Sequence, residues 1–293
     1  MPASEVWTVK RLLDWTIPFF TRREVDSPRL SAEMLLGHVL SLKRIQLYTD
    51  HDRPLTESEL GTFRGLVKQA GEHAPIAHLV GHAPFFNLDL IVTPDVLIPR
   101  PDTETIVAEV LQLARSGEID KAGTFLDVCT GSGCIAVALG KNLGGCKVLA
   151  TDISEPAVAV ARRNVEKYDL TDRVGVEVGD LLEPARDAGP FDAIVGNPPY
   201  IATATVDTLD RNVRDYEPRL ALDGGPDGLD PHRKILADAP PLLKPGGRLM
   251  LEIAFDQQDA ALSLATEHDE AFEAATVLRD MAGRPRVLSL KRR

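Results

Sequence analysis

The spacing of hydrophobic residues changes period along the chain, and the changes divide it into three parts. Over residues 1–75 apolar positions recur at helical intervals between short turns. Asp26-Ser27-Pro28 sets a capping side chain before a proline suited to a first helical turn, and Leu30, Met34, Leu35 and Val39 follow on one face. Thr56 and Glu59 form a capping box ahead of Leu60, Phe63, Leu66 and Val67, with Gly71 offering a left-handed stop. A small helical domain is predicted. Residues 76–101 form a linker whose later part, from Pro84 to Pro101, alternates as a strand or hairpin does: Phe86, Leu88, Leu90 and Val92 on one side, Asn87, Asp89 and Ile91 on the other. Asp102 can then cap a helix carrying Ile106, Val107, Val110, Leu111 and Ala114 that ends near Gly117.

Within residues 102–293, strand-like runs at Thr124–Val128, Lys147–Thr151, Val174–Val178, Phe191–Val195 and Arg248–Ile253 alternate with helical stretches. That rhythm predicts an α/β domain with a largely parallel sheet covered on both faces. Ala274–Val277 and Pro285–Leu290 lack a long helix between them and predict an antiparallel pair at the sheet edge.

Composition narrows the setting. With 44% hydrophobic and 26% charged residues the chain can bury a proper core. No apolar run is long enough to span a bilayer, and the N-terminus lacks the apolar core of a secretion signal, so the expected location is cytoplasmic. Cys129, Cys134 and Cys146 form no CxxC pair and read as reduced thiols, while His78 and His82 lack the glutamate of HExxH, so no metal is expected. The net charge of −11 opposes stable binding to a phosphate backbone, and Lys291-Arg292-Arg293 reads as a solvated tail.

Candidate chemistry begins in Phe125–Ala136, where a buried strand enters a turn with Gly131 and Gly133 and leaves in a helix. Glycines there permit a sharp turn and close ligand approach, and the helix N-terminus favours polar ligand groups. The spacing also satisfies the dinucleotide fingerprint of dehydrogenases, so the glycines alone do not select the cofactor. Asp152, at the end of the second strand, is placed to accept hydrogen bonds from ribose hydroxyls or to cap the next helix. Asp180 follows the third strand and is a candidate contact for an adenine amine.

The most informative stretch is Asn197-Pro198-Pro199-Tyr200, at the end of a buried strand. The lone pair of an amide or aryl amine is delocalised and a poor nucleophile. The Asn197 side-chain oxygen and the Pro198 carbonyl can each accept one N–H of a planar NH₂ and so favour a pyramidal nitrogen aimed at an electrophilic methyl. Pro198 and Pro199 restrict the backbone that carries the acceptors, and Tyr200 can pack on the planar group and screen water. This logic leaves adenine, cytosine and glutamine open as acceptors and favours a methyltransferase over a dehydrogenase.

Those residues, together with Leu97-Ile98-Pro99-Arg100-Pro101-Asp102-Thr103-Glu104 and the helical N-terminal domain, resemble the HemK/PrmC family of protein-(glutamine-N5) methyltransferases, which modify the Gly-Gly-Gln loop of peptide chain release factors. The resemblance covers nearly the whole chain. It implies a Rossmann-like class I methyltransferase sheet of seven strands and S-adenosylmethionine as the methyl donor. It assigns Cys129, Thr130, Gly131, Ser132, Gly133, Asp152, Asp180, Leu181 and Asn197 to the cofactor, Asn197, Pro198, Pro199 and Tyr200 to the substrate glutamine, and Pro99 and Arg100 to a loop over the pocket. Two departures are informative. Release-factor enzymes usually carry glycine at the position of Cys129, and Cys129–Ala136 is similar to the sister family acting on ribosomal protein L3. The L3 enzymes usually read P-R-S-P where this chain has Pro99-Arg100-Pro101-Asp102, so the linker favours release factors, with L3 and nucleic-acid adenine as alternatives.

Overall fold

A computed structural model describes residues 6–273 and 275–293. The chain forms two compact units: Met1–His82 with Asp210–Tyr216, and Ala83–Leu209 with Glu217–Arg293. Among the described residues no helix is long and apolar enough to cross a membrane.

The first unit is helical: α1 (Val9–Arg22), α2 (Pro28–Leu40), α3 (Arg44–Thr49), α4 (Glu57–Gly71) and α5 (Ile76–Val80). Its core gathers Val9, Leu12, Phe20, Leu35, Leu36, Leu47, Phe63 and Val67. The Thr56–Glu59 capping box is closed in both directions. Other local expectations are corrected. Ser27 starts α2 without a side-chain cap bond, and the helix buries Ala32, Leu35, Leu36 and Leu40 rather than a face through Leu30, which is 39% exposed. Gly71 stays inside α4; a Cβ there would meet the Phe19 ring at 3.0 Å, so its glycine makes room for an aromatic, and the left-handed residue is His73.

The second unit begins with the hairpin β1 (His82–Phe85) and β2 (Leu88–Ile91), joined through Phe86 and Asn87 at φ 46° and 62°. Two successive left-handed residues are the requirement of a two-residue hairpin turn, which asparagine tolerates well. Asn164 pins β2 by accepting from Ile91 N at 2.7 Å and donating to Ile91 O at 2.9 Å. Next comes α6 (Glu104–Ser116), which buries Ile106, Val107, Val110, Leu111 and Ala114 and ends on Gly117 at φ 83°. Its N-cap is Thr103 rather than Asp102, because residues 101–103 form a 3₁₀ turn first; Asp102 instead pairs with Arg286 at 3.0 Å.

The sheet comprises β3 (Thr124–Val128), β4 (Lys147–Asp152), β5 (Val174–Val178), β6 (Phe191–Gly196), β7 (Leu243–Glu252), β8 (Thr276–Arg279) and β9 (Pro285–Lys291), in the order β5-β4-β3-β6-β7-β9-β8. The first five strands are parallel, and β9 runs antiparallel to both β7 and β8. The expected strands therefore recur with end shifts of a few residues; Ala274, where one was expected to start, lies outside the described residues. Helices α7 (Cys134–Asn142), α8 (Glu155–Lys167), α9 (Thr203–Val206), α11 (Asp230–Asp238) and α12 (Gln258–Thr266) complete the unit, while α10 (Arg211–Arg214) belongs to the first. Two apolar clusters, one containing Phe125, Val137 and Ile106 and the other Leu126, Ile194 and Leu236, contain alternate residues of the central strands. Strand order reverses between β3 and β6, so their carboxyl ends diverge and leave a crevice.

Candidate active site

That crevice holds a cavity of about 390 Å³, within the size range of small-molecule sites. The glycine turn forms one wall. Asp127 at the end of β3 is fully buried; its Oδ2 accepts from Thr130 Oγ1 at 2.5 Å and from Ala136 N at 3.0 Å, which ties the turn to the first turn of α7. Burial pushes the Asp127 carboxyl up to about 7, with the two hydrogen bonds pulling the other way. Within the turn Cys129, Gly131 and Gly133 adopt φ of 58°, 56° and 79°. A Cβ on Gly131 would meet nothing within 4 Å, whereas one on Gly133 would lie 3.2 Å from Ala161 Cβ. Gly131 thus leaves open space on the cavity side, and Gly133 allows α8 to approach.

Asp152, at the end of β4, faces the same cavity. Its Oδ2 accepts from Gly131 N and its Oδ1 from Ser154 N, each at 2.9 Å. The cap of α8 is Ser154, whose hydroxyl accepts from Ala157 N, so the aspartate itself is not the cap. Each carboxylate oxygen keeps a second lone pair, and this acceptor pair suits a vicinal diol. Burial raises the Asp152 pKa, opposed by the Ser154 and Gly131 amides. Ile153 and Leu181 add apolar lining, with Leu181 held at φ 47° by its carbonyl bond to Thr151 Oγ1 at 2.9 Å. Asp180 also lines the cavity, 3.9 Å from Lys234.

The opposite wall is the end of β6. A Cβ on Gly196 would fall 2.4 Å from the Val128 carbonyl, so the strand can run this close to β3 only with glycine just before Asn197. Asn197 and Pro199 line the cavity. Asn197 Nδ2 donates to Thr103 Oγ1 at 3.2 Å, which leaves the amide oxygen available as an acceptor. Pro198, Tyr200 and Gly133 are not among the lining residues. The Tyr200 hydroxyl donates to Glu252 Oε1 at 3.1 Å, and Glu252, on the last residue of β7, is fully buried. Burial drives its pKa up to about 7, against the pull of the Thr103 and Tyr200 hydroxyls and the Arg286 charge. His232 Nε2 lies 2.8 Å from the Glu252 carbonyl, and burial lowers the imidazole pKa to about 4, so it is neutral at pH 7.

Pro99 and Arg100 line the cavity from the linker loop. Arg100 Nη2 donates to Glu217 Oε1 at 2.6 Å, and Glu217 Oε2 accepts from Ile98 N at 3.1 Å, so one buried carboxylate fixes the loop twice. Sequence reasoning missed Asp127, Thr103, Glu217 and Glu252, and also the loop Asp223–Asp230. That loop braces the Asn-Pro-Pro-Tyr backbone: Ile201 N donates to Leu222 O at 3.0 Å and Gly224 N to Ile201 O at 2.8 Å. A Cβ on Gly228 would reach 2.2 Å from the Tyr200 carbonyl, and one on Gly224 2.6 Å from the Pro199 carbonyl. The glycine density of Asp223-Gly224-Gly225-Pro226-Asp227-Gly228 was the available signal.

Comparison with known proteins then decides the family. Residues 11–81 match the PrmC N-terminal domain and residues 105–225 the methyltransferase small domain. A release factor glutamine methyltransferase of Geobacter sulfurreducens is 45% identical over 260 residues, covering 89% of each chain. One of Rhodopirellula baltica is 40% identical over 287 residues, covering 98% of this chain and 97% of the relative. The chain belongs to the release factor glutamine methyltransferase family. Among solved structures, the N-terminal domain of human METTL16 in complex with SAH aligns at TM-score 0.53 and 19% identity over 94% of each chain, a likeness of fold. The family assignment agrees with the resemblance carried by Asn197–Tyr200 and Leu97–Glu104, and the Rossmann-like sheet with its antiparallel edge is as expected.

Proposed function

We propose that this protein transfers a methyl group from S-adenosylmethionine to the side-chain N5 of the glutamine in the Gly-Gly-Gln loop of release factors, and that the two walls of the crevice divide the work. The cofactor, when bound, supplies a sulfonium methyl with a neutral thioether as leaving group. The fit of the wall between β3 and β4 supports its placement there: Gly131 leaves space for it, Asp152 offers two acceptor oxygens to ribose hydroxyls, and Ile153 and Leu181 offer apolar surface to the base. Thr130, Ser132 and Cys129 line the stretch between, and Asp180 borders the adenine end.

On the other wall, Asn197 Oδ1 accepts one N–H of the glutamine amide, and the Pro198 carbonyl, from a residue buried outside the cavity lining in the free protein, accepts the other as the substrate docks, turning the lone pair toward the methyl. The observation that carries this reading is the Asn197 amide held by Thr103 through its nitrogen, oxygen left free, beside the cavity. Pro199 stiffens the turn, and Tyr200 acts as its anchor on Glu252 rather than as a cover over the amide. Pro99 and Arg100, tied to Glu217, border the substrate entrance. The amide proton departs once the nitrogen carries the methyl, so no strong base is required beside it.

The release factor is the proposed partner because it is the substrate named for relatives that match 89% and 98% of this chain. The N-terminal helical domain, residues 1–75 by sequence, is proposed as the element that recognises it. The test is transfer of labelled methyl from S-adenosylmethionine to purified release factor, to the same factor with its loop glutamine changed to alanine, and to ribosomal protein L3. Label on the intact factor alone supports the reading; label on L3 alone, or on neither, overturns it.

A further inference from the structure

In Asn197-Pro198-Pro199-Tyr200 two of the four residues have no backbone N–H, so this stretch cannot be held by donating to its neighbours as a strand is. Its carbonyls have to serve as handles. In the proposed complex the Pro198 carbonyl is kept for the substrate amide. At Tyr200 the structure supplies a dedicated partner: Gln257 Nε2 donates to the Tyr200 carbonyl at 2.9 Å.

Gln257 stands in the loop that leaves β7, and β7 lies parallel beside β6, so this loop and the Asn-Pro-Pro-Tyr turn leave the sheet at the same edge. Its amide is oriented by partners whose roles are fixed. Oε1 accepts from Ala254 N at 3.0 Å, and a backbone N–H only donates. Turned this way, Nε2 faces two carbonyls, which only accept: Tyr200 at 2.9 Å and, more weakly, Asp227 at 3.4 Å. The side chain makes no cap bond to α12, which begins at the next residue. A single amide therefore ties together the exit of β7, the Asn-Pro-Pro-Tyr turn and the Asp223–Asp230 loop. Gly228 makes room for it. A Cβ there would lie 2.2 Å from the Tyr200 carbonyl and 2.7 Å from Gln257 Nε2, so the amide reaches the carbonyl only because residue 228 is glycine.

Building on the reading of Asn197 and Pro198 as acceptors of the substrate amide, we propose that Gln257 is a positioning residue that fixes the Asn-Pro-Pro-Tyr turn through the Tyr200 carbonyl and so sets where those two acceptors stand. Gln257 is not among the residues lining the cavity, and it acts on turnover through the turn rather than by holding cofactor. A misplacement of about 1 Å in a group that orients a reacting atom can cost on the order of a hundredfold in rate. The Tyr200 hydroxyl on Glu252 and the Ile201 backbone bonds remain as further ties on the same turn, so the loss of Gln257 alone falls short of that.

Two substitutions test the proposal. Gln257→Glu keeps the shape and the acceptor for Ala254 N but, ionised at neutral pH, sets an oxygen against the Tyr200 carbonyl. Gln257→Met removes the amide at similar volume without adding a charge. Steady-state methyl transfer to release factor, S-adenosylmethionine affinity by calorimetry and urea unfolding are measured on the full chain for each, for Asn197→Ala, and for each combined with Asn197→Ala. Both single variants are expected to lower kcat by roughly tenfold with cofactor Kd within about twofold of wild type. With Asn197 already alanine, the same substitutions are expected to cost no more than about threefold, the signature of a residue that acts through that turn. Wild-type kcat in a folded Gln257→Met overturns the proposal whatever the glutamate variant does, and should the methionine variant fail to fold, wild-type kcat in Gln257→Glu does the same. A loss of equal size in the Asn197→Ala background, or a fall in cofactor affinity that matches the fall in kcat, also overturns it, because either marks a general structural role. Wild-type kcat in Asn197→Ala instead overturns the acceptor reading beneath it, so the two failures are distinct.

Discussion

Replacing Asp152 with alanine removes two separate things, and their magnitudes can be worked from the contacts. The carboxylate accepts the Gly131 and Ser154 amides at 2.9 Å each and, in the proposed complex, two ribose hydroxyls. Hydrogen bonds to a charged acceptor are worth about 1.5–3 kcal/mol each. Taking the lower value, because the cavity is open to water, the ribose pair amounts to about 3 kcal/mol, or about a hundredfold in Kd. The backbone pair affects the free protein: Gly131 and Ser154 both line the cavity, where water can replace the lost acceptor, so the stability cost is about 2 kcal/mol. Asp152→Asn keeps one acceptor oxygen and turns an NH₂ toward the other backbone donor, so its affinity falls between alanine and wild type. Calorimetric titration with S-adenosylmethionine, paired with urea unfolding without it, separates the two effects. Cofactor affinity within threefold of wild type in Asp152→Ala would refute the ribose assignment whatever the stability change.

The other predictions follow from single contacts. Asn197→Ala is expected to bind cofactor normally and lose about a hundredfold or more in kcat in the methylation assay, the scale of a lost preorganised transition-state contact. Gly133→Ala forces a left-handed φ of 79° on a side chain 3.2 Å from Ala161, and should cost about 2–4 kcal/mol in urea unfolding from strain and overpacking; a loss below 1 kcal/mol counts against the packing argument. Cys129→Gly relieves a strained φ of 58° but frees the unfolded chain, so stability should stay within about 1 kcal/mol of wild type by the same measurement. Glu252 has a folded pKa of about 7 against an ordinary 4.5, so the folded state holds the extra proton between those values and the stability this confers is lost as pH rises through them. Wild type should therefore lose about 3 kcal/mol relative to Glu252→Gln between pH 4.5 and pH 7, and parallel unfolding curves across that window would show the carboxylate is not buried as described.

The chemistry at strand ends was legible because it sits in short contiguous runs. Asn197–Tyr200 and the turn around Gly131 and Gly133 each announce themselves in a few residues, and Asp152 follows from its distance beyond the turn. Strands β3 to β6 were legible from apolar runs that need burial on both faces. What stayed hidden depends on partners distant in sequence. Thr103 meets Asn197 across 94 positions and Arg100 meets Glu217 across 117, and nothing local marks either pair. Local cap chemistry misled at α6, where Thr103 displaces Asp102 because Pro101 opens a 3₁₀ turn, and at α2, where Ser27 makes no side-chain cap bond; the alternative of Asp152 as the cap of α8 gives way to Ser154. In α2 the apolar residues outnumber one face, so their spacing did not say which would turn inward.

The composition of the helical unit bears on how freely its parts can be exchanged. It is not a continuous stretch of chain: Asp210–Tyr216 belongs to it, and Tyr216 donates its hydroxyl to the Glu72 carbonyl at 2.9 Å. Those residues lie within the span 105–225 matched by the methyltransferase family description, while the N-terminal description ends at residue 81. Sequence modules and folded modules are therefore not the same objects here. A fragment starting at Ala83 would retain Asp210–Tyr216 without the helices they pack with, and a chimaera that exchanged only residues 1–82 would graft foreign helices onto a native insert. Recombination between relatives is thus constrained to carry the two stretches together.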